Sequence, residues 1–162
     1  MLAGRWTSVE PSRMPHKHTM PQFLGPHVTP LAYEHWLERK ARAVRTRDRK
    51  RGRKSTRAQL KEAIHAAVLA SEGRDAYTGE ELDWKLISTY RNEDARAGRY
   101  EHKARFALLP TVDHARPGDT EADFKICGWR TNDAKNDLPH DAFIELCIRV
   151  LEHAGFSIEG AP

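Results

Sequence analysis

Apolar positions recur at helical spacing in three stretches of the chain and gather into two short strand-like runs between the second and third. From Pro30, Leu31, Trp36 and Leu37 offer anchors for a first helix, which turns almost purely basic after Arg39 and should stop near Gly52. The second helix is signalled more sharply. Thr56-Arg57-Ala58-Gln59 fits a capping box, Leu60, Ile64, Ala67, Val68 and Ala70 form a stripe, and Gly73 supplies the stop. Tyr77-Thr78-Gly79-Glu80 is a turn signal, followed by a short apolar segment with Leu82, Trp84, Leu86 and Ile87. Polar residues 92–98 are expected to form another helical piece. Phe106-Ala107-Leu108-Leu109 predicts a buried strand continuing through Pro110-Thr111-Val112-Asp113-His114, and Arg116-Pro117-Gly118-Asp119 turns the chain. Phe124 to Trp129 alternates as a second strand, and Thr131 or Asn132 then caps a helix start. A last helix over 140–153 carries Phe143, Leu146, Cys147, Val150 and Leu151 on one side, with Pro139 at its start and Gly155 after its end. The pattern predicts an α+β fold in which strand, turn, strand and helix follow one another across 106–136.

Composition adds a partner to this picture. The 162 residues are 39% hydrophobic and 31% charged, without the run of about 18 apolar residues that a membrane helix needs. The first residues lack an apolar signal region. Cys127 and Cys147 are the two cysteines, too few for a disulfide framework or a four-cysteine zinc site. An intracellular, cytoplasmic protein without membrane contact is the expectation. The net charge of +4 conceals an asymmetry: residues 38–57 hold 11 Lys and Arg against 2 acids, a local charge of +9. Such a block suits a polyanion, of which nucleic acid is the commonest inside cells. Arg45, Arg47, Arg49, Lys50, Arg51, Arg53 and Lys54 are the expected contacts. Residues 1–30, with five of the nine prolines, read as an extended arm that leads into this basic helix. The expected division is an arm and basic helix over 1–55 and a second unit over 56–162, with its motif core at 106–137.

Hydrolysis of a phosphodiester needs a base for water, a cation at the phosphate and help for the leaving oxygen. Imidazole suits the first task near neutral pH, and a hard divalent ion with oxygen ligands suits the others. Asp113, His114 and Asn132 supply those groups. Neighbours on an extended strand point to opposite sides, so Asp113 and His114 are expected to share a site only if the backbone bends before Ala115-Arg116-Pro117-Gly118.

The run Pro110-Thr111-Val112-Asp113-His114, then Phe124-Lys125-Ile126-Cys127, then Asn132-Asp133-Ala134-Lys135, resembles the HNH endonucleases. Tyr77-Thr78-Gly79 with Leu82 looks like the Tyr-Cys-Gly knuckle that opens many HNH domains, and the likeness covers about residues 74–153. The resemblance implies a ββα-metal nuclease module with flanking helices. It assigns Asp113 and Asn132 to one divalent ion, Mg²⁺ or alternatively Mn²⁺, and makes His114 the general base. It implies DNA as substrate, with an RNA-directed nuclease and an inactive HNH-like binding module as the alternatives.

The chain departs from the family's pattern in three ways. Thr78 stands where the knuckle cysteine would be and there are no Cys-x-x-Cys pairs, so hydrophobic packing is expected to replace a structural zinc. Asp123 occupies the position of the family's Asn that orients the base, and a carboxylate there could accept from the imidazole N–H. His140 is the nearest candidate for the extra helix ligand of some relatives, but Leu138-Pro139 should break the helix before it. Arg130 and Lys135 are expected phosphate contacts by charge, and Asn136 shares a helix face with Asn132. Oligomeric state is open at this level.

Overall fold

A computed structural model describes residues 17–89, 99–116 and 122–159. The expected helical piece at 92–98 lies outside the described residues, as do most of the turn after Arg116 and the first half of the arm. Among the described residues the architecture is mixed: five α-helices, two short 3-10 helices and a two-stranded antiparallel sheet.

Helix α1 spans Pro30–Lys50. The Thr29 side chain accepts from the Ala32 N–H, and Pro30 sits at the first helical position, where its missing N–H costs nothing. Helix α2, Arg57–Ser71, begins with the complete capping box expected from the sequence: Thr56 and Gln59 each satisfy the other's backbone N–H. The two helices share one apolar layer. Tyr33, Trp36, Leu37, Ala41 and Val44 of α1 pack with Leu60, Ile64, Ala67 and Val68 of α2. Trp84, from the 3-10 helix Trp84–Ser88, closes the layer edge-on against Trp36 with ring centroids 5.4 Å apart. Its indole N–H donates to the Gly73 carbonyl at 3.2 Å, so a large aromatic is buried without an orphaned donor. One core cluster takes in residues of α1 together with Val112, Phe124 and Ile126 of the strands.

The sheet is shorter than the apolar run suggested. After α3, Arg99–Arg105, residues 106–109 do not extend the strand. Turn bonds (Ala107 N–H to Ala104, Leu109 N–H to Phe106) hold them, while Phe106 and Leu109 are buried as plugs. Strand β1 is Pro110–His114 and β2 is Phe124–Gly128, with Val112 opposite Ile126, Asp113 opposite Lys125 and His114 opposite Phe124. Helix α4, Trp129–Lys135, follows directly. It starts two residues earlier than Thr131, because the N–H groups of Trp129 and Arg130 are taken by the carbonyls of Leu109 and Ala107. Gly128 is its N-cap, and neither Thr131 nor Asn132 caps it. Helix α5, His140–His153, matches the expected span, but none of its residues is buried. No described helix is long and apolar enough to cross a membrane.

Candidate active site

The strand keeps a regular register through His114, and Ala115 still bonds to the Asp123 carbonyl. The chain bends at Ala115 and Arg116, directly after His114, so Asp113 and His114 themselves keep the alternation of a regular strand. What brings them together is the end of β1. Among the described residues the strand pairs with β2 alone, and a cleft of about 160 Å³ between the C-terminal end of α1 and helix α4 takes in its last three residues. Asp113, His114, Asn132, Asn136, Arg47 and Arg51 line it. Side chains from both faces of a strand can reach a cleft at its end, which reconciles the alternation with a common site.

Asp113 is 8% exposed. Its Oδ2 accepts a 2.5 Å hydrogen bond from the Tyr77 hydroxyl and lies 2.9 Å from Lys135 Nζ. Burial and the adjoining carboxylate push the Tyr77 phenol well above its ordinary pKa, so Tyr77 serves as a donor. Lys135 is fully buried, with its ammonium on Asp113 and over the Tyr77 ring. It therefore faces the carboxylate and is not offered to a surface phosphate, as its charge alone had suggested. The helix ends immediately afterwards at Asn136, whose positive φ of 50° suits asparagine. His140 packs against Tyr77, with ring centroids 5.4 Å apart.

Both side-chain contacts of Asp113 fall on Oδ2, and the amides of Asn132 and Asn136 stand in the same cleft. Carboxylate and amide oxygens suit magnesium or manganese better than a softer ion.

His114 meets a carboxylate that the sequence motif does not contain. Asp48, on α1, is 3% exposed, and its Oδ1 stands 3.0 Å from His114 Nε2 and 3.2 Å from an Arg53 guanidinium nitrogen. The Asp48 carbonyl also accepts the backbone N–H groups of Arg51 and Arg53, which curls the chain end back over the site. The pair stands at ion-pair distance, without a well-formed hydrogen bond at Nε2. Burial of the ring, with Arg53 and Arg47 nearby, outweighs the pull of Asp48 and holds the His114 pKa below the ordinary histidine value. That direction favours the neutral ring near pH 7, the form a general base needs. Asp123 takes a different place: its side chain faces Arg116 at 3.5 Å. In sequence, Asp48 looks like one of two acids diluted in a basic run; its solitary position among arginines on the core side of α1 was the available signal.

The turn that resembles a knuckle is held by Asp75. This carboxylate is 2% exposed. Oδ1 accepts from the N–H groups of Tyr77 and Thr78, and Oδ2 from the Gly128 N–H and the Thr131 hydroxyl at 2.8 and 2.7 Å. A Cβ on Gly128 would stand 3.0 Å from the Ala107 carbonyl and 3.3 Å from Asp75 Oδ2, so any larger residue would press on both groups. Packing alone was expected to replace zinc here; a buried carboxylate ties the turn to β2 and α4 and so places Tyr77 on Asp113.

The basic segment divides in two directions. Arg47 and Arg51 face the cleft, Arg51 also pairing with Asp137 at 3.2 Å. Arg45 and Arg49 lie on another side of α1, and Lys50 and Lys54 are exposed. Arg53 is spent internally on Asp48, and Arg130 on Glu80. Cys127 is fully buried, which pushes its thiol pKa up and leaves it inert. No model of a known protein family matches the chain, nor does any curated protein or solved structure.

Proposed function

We propose that the chain is a divalent-metal-dependent endonuclease of the HNH kind, acting on DNA through a ββα-metal module formed by β1, β2 and α4. The observation that carries this reading is the cleft at the end of β1, where the buried Asp113 carboxylate, the His114 imidazole and two amides meet two arginines, with Asp133 and Asp137 also in the lining. Asp113 and Asn132 would hold the ion, with Asn136 beside them. Once bound, that ion would polarise the scissile phosphate and ease departure of the leaving oxygen. His114 takes a proton from the attacking water, while Asp48 fixes the ring from behind. Arg47 and Arg51 pair with phosphate oxygens. Tyr77 and Lys135 hold the Asp113 carboxylate in one orientation.

A second reading has its own support. The Lys135 ammonium already sits on Asp113, as it would in a binding module that has no need of a metal. Supercoiled plasmid incubated with Mg²⁺, Mn²⁺ or EDTA separates the two. The nuclease reading expects nicking with either ion and none with EDTA. Metal-independent binding without nicking supports the inactive module, and cleavage confined to an RNA substrate would redirect the assignment to RNA.

The dyad gives a sharper expectation. Asp48→Asn should lower kcat about 10–100-fold, the usual range for a carboxylate that orients a working histidine. KM should stay near the wild-type value, because Asp48 is buried away from the phosphates. Steady-state nicking kinetics supply both numbers; a rise in KM at constant kcat would make Asp48 a part of the binding surface.

Salt dependence tests the basic segment. Residues 58–162 carry 13 basic and 19 acidic side chains and should repel a polyanion alone. If Arg47, Lys50, Arg51 and Lys54 contact the phosphates of one duplex, log K should fall with log salt at a slope of about −3.6. Arg47→Gln with Arg51→Gln should flatten it by about two, as read by fluorescence anisotropy in EDTA. Arg53→Gln should leave the slope unchanged, because that guanidinium is buried against Asp48.

A further inference from the structure

Arginines leave α1 on two opposed sides. At 3.6 residues per turn, Arg47 and Arg51 stand about 140° and 180° around the helix from Arg42. Arg42, Arg45, Thr46 and Arg49 occupy the opposite side at i, i+3, i+4 and i+7. With Arg57, just past the Thr56 cap of α2, they enclose a separate cleft of about 450 Å³ with no acidic residue in its lining. Arg57 shares Glu38 at 3.2 Å. Among the described residues, Arg42, Arg45 and Arg49 have no acidic partner, although 23 acids are distributed along the chain. Four guanidinium groups around one hollow repel each other, and the arrangement gains only when an anion enters. Guanidinium matches phosphate oxygens in bidentate fashion.

We propose that this arginine cleft is a second nucleic-acid site that holds a phosphodiester backbone other than the one in the cleft at the end of β1. It rests on nucleic acid being the partner and adds a second point of engagement. The three α1 arginines extend over about 10 Å of helix axis, which suits a run of phosphates about 3.4 Å apart along each strand better than a single free anion. The two clefts open on different elements: the active cleft on β1 and α4, the arginine cleft on Arg57 at the start of α2. Backbone seated in one cleft is then not the backbone seated in the other, and one chain can bridge two segments.

Isothermal titration in EDTA with a duplex of about 10 base pairs, one helical turn, tests this without any cleavage. Wild type should bind two duplexes per chain and bring a donor-labelled and an acceptor-labelled duplex within energy-transfer range. The triple variant Arg42→Gln, Arg45→Gln, Arg49→Gln should bind one and lose the transfer signal, and the pair Arg47→Gln, Arg51→Gln should also bind one. A single duplex on wild type, or two retained by the triple variant, overturns the second site. A chain that nicks plasmid and yet binds one duplex sinks this inference alone. One that bridges two duplexes without ever nicking sinks the nuclease reading alone.

Discussion

Asp75→Ala should cost about 3–5 kcal/mol of stability. Removing the carboxylate leaves the Gly128 N–H and the Thr131 hydroxyl buried without an acceptor, together with two N–H groups of the 75–79 turn. Each buried donor left unsatisfied costs about 1–3 kcal/mol; the turn groups recover part of theirs from water. For a domain of this size a loss of about 3–5 kcal/mol lowers Tm by roughly 10 °C. Asp75→Asn offers little relief, since one of its two terminal atoms becomes a donor aimed at other donors. Because Tyr77 reaches Asp113 from this turn, the surviving folded fraction should also bind metal less tightly. Melts of wild type with and without a strong chelator should nearly coincide, because the Asp75 carboxylate ties the turn to β2 and α4. Thermal melts of the three proteins check this; a variant that melts with wild type would mean that the turn is held by packing after all.

Local signals in the sequence carried the helices well. The capping box at Thr56–Gln59 and the stripe Leu60–Ile64–Val68 are short-range features, and both appear as expected in α2. The hairpin was legible in outline. Its first strand was drawn too long because Phe106 and Leu109 are apolar for a tertiary reason, as plugs under turns, and not because they alternate on a sheet. The start of α4 was misplaced for a similar reason: distant carbonyls of Ala107 and Leu109 decide it, and no cap residue advertises them. Within the site, the chain order placed Asp113, His114 and Asn132 in one cleft, while the reason they converge, a cleft at the strand's end, is invisible in one dimension. Asp48 and Asp75 could not be read as partners either. Asp48 lies 66 residues before His114 and Asp75 lies 53 before Gly128, and only the packing of α1 and the turn onto the sheet makes those pairs.

His114→Ala carries the largest expected effect on activity, a loss of about 10²–10⁴-fold for removal of a general base. The lowered pKa of His114 favours its neutral form at and above pH 7, so the wild-type rate should rise with pH through a range below the ordinary histidine value and then level. Protonation disables the base, and that limb should vanish in His114→Ala. The same variant should keep its divalent-ion affinity, because the ring faces Asp48 on one side and water on the other. Asp113→Ala should fail differently. It removes the charged oxygen ligand and strands the Lys135 ammonium in a buried site, so metal affinity and stability fall with activity. Asn132→Ala should follow Asp113→Ala more weakly, with no further loss from a helix cap, since Gly128 holds that position.

The most direct measurement is a plasmid-nicking rate taken beside a Mn²⁺ titration on wild type, His114→Ala and Asp113→Ala. The expected outcome is a wild-type enzyme that nicks and binds the ion, a His114→Ala protein that binds it equally well and does not nick, and an Asp113→Ala protein that does neither. A His114→Ala protein that still nicks at the wild-type rate, or that loses the ion as fully as Asp113→Ala, would contradict the assignment of base and ligand at the end of β1.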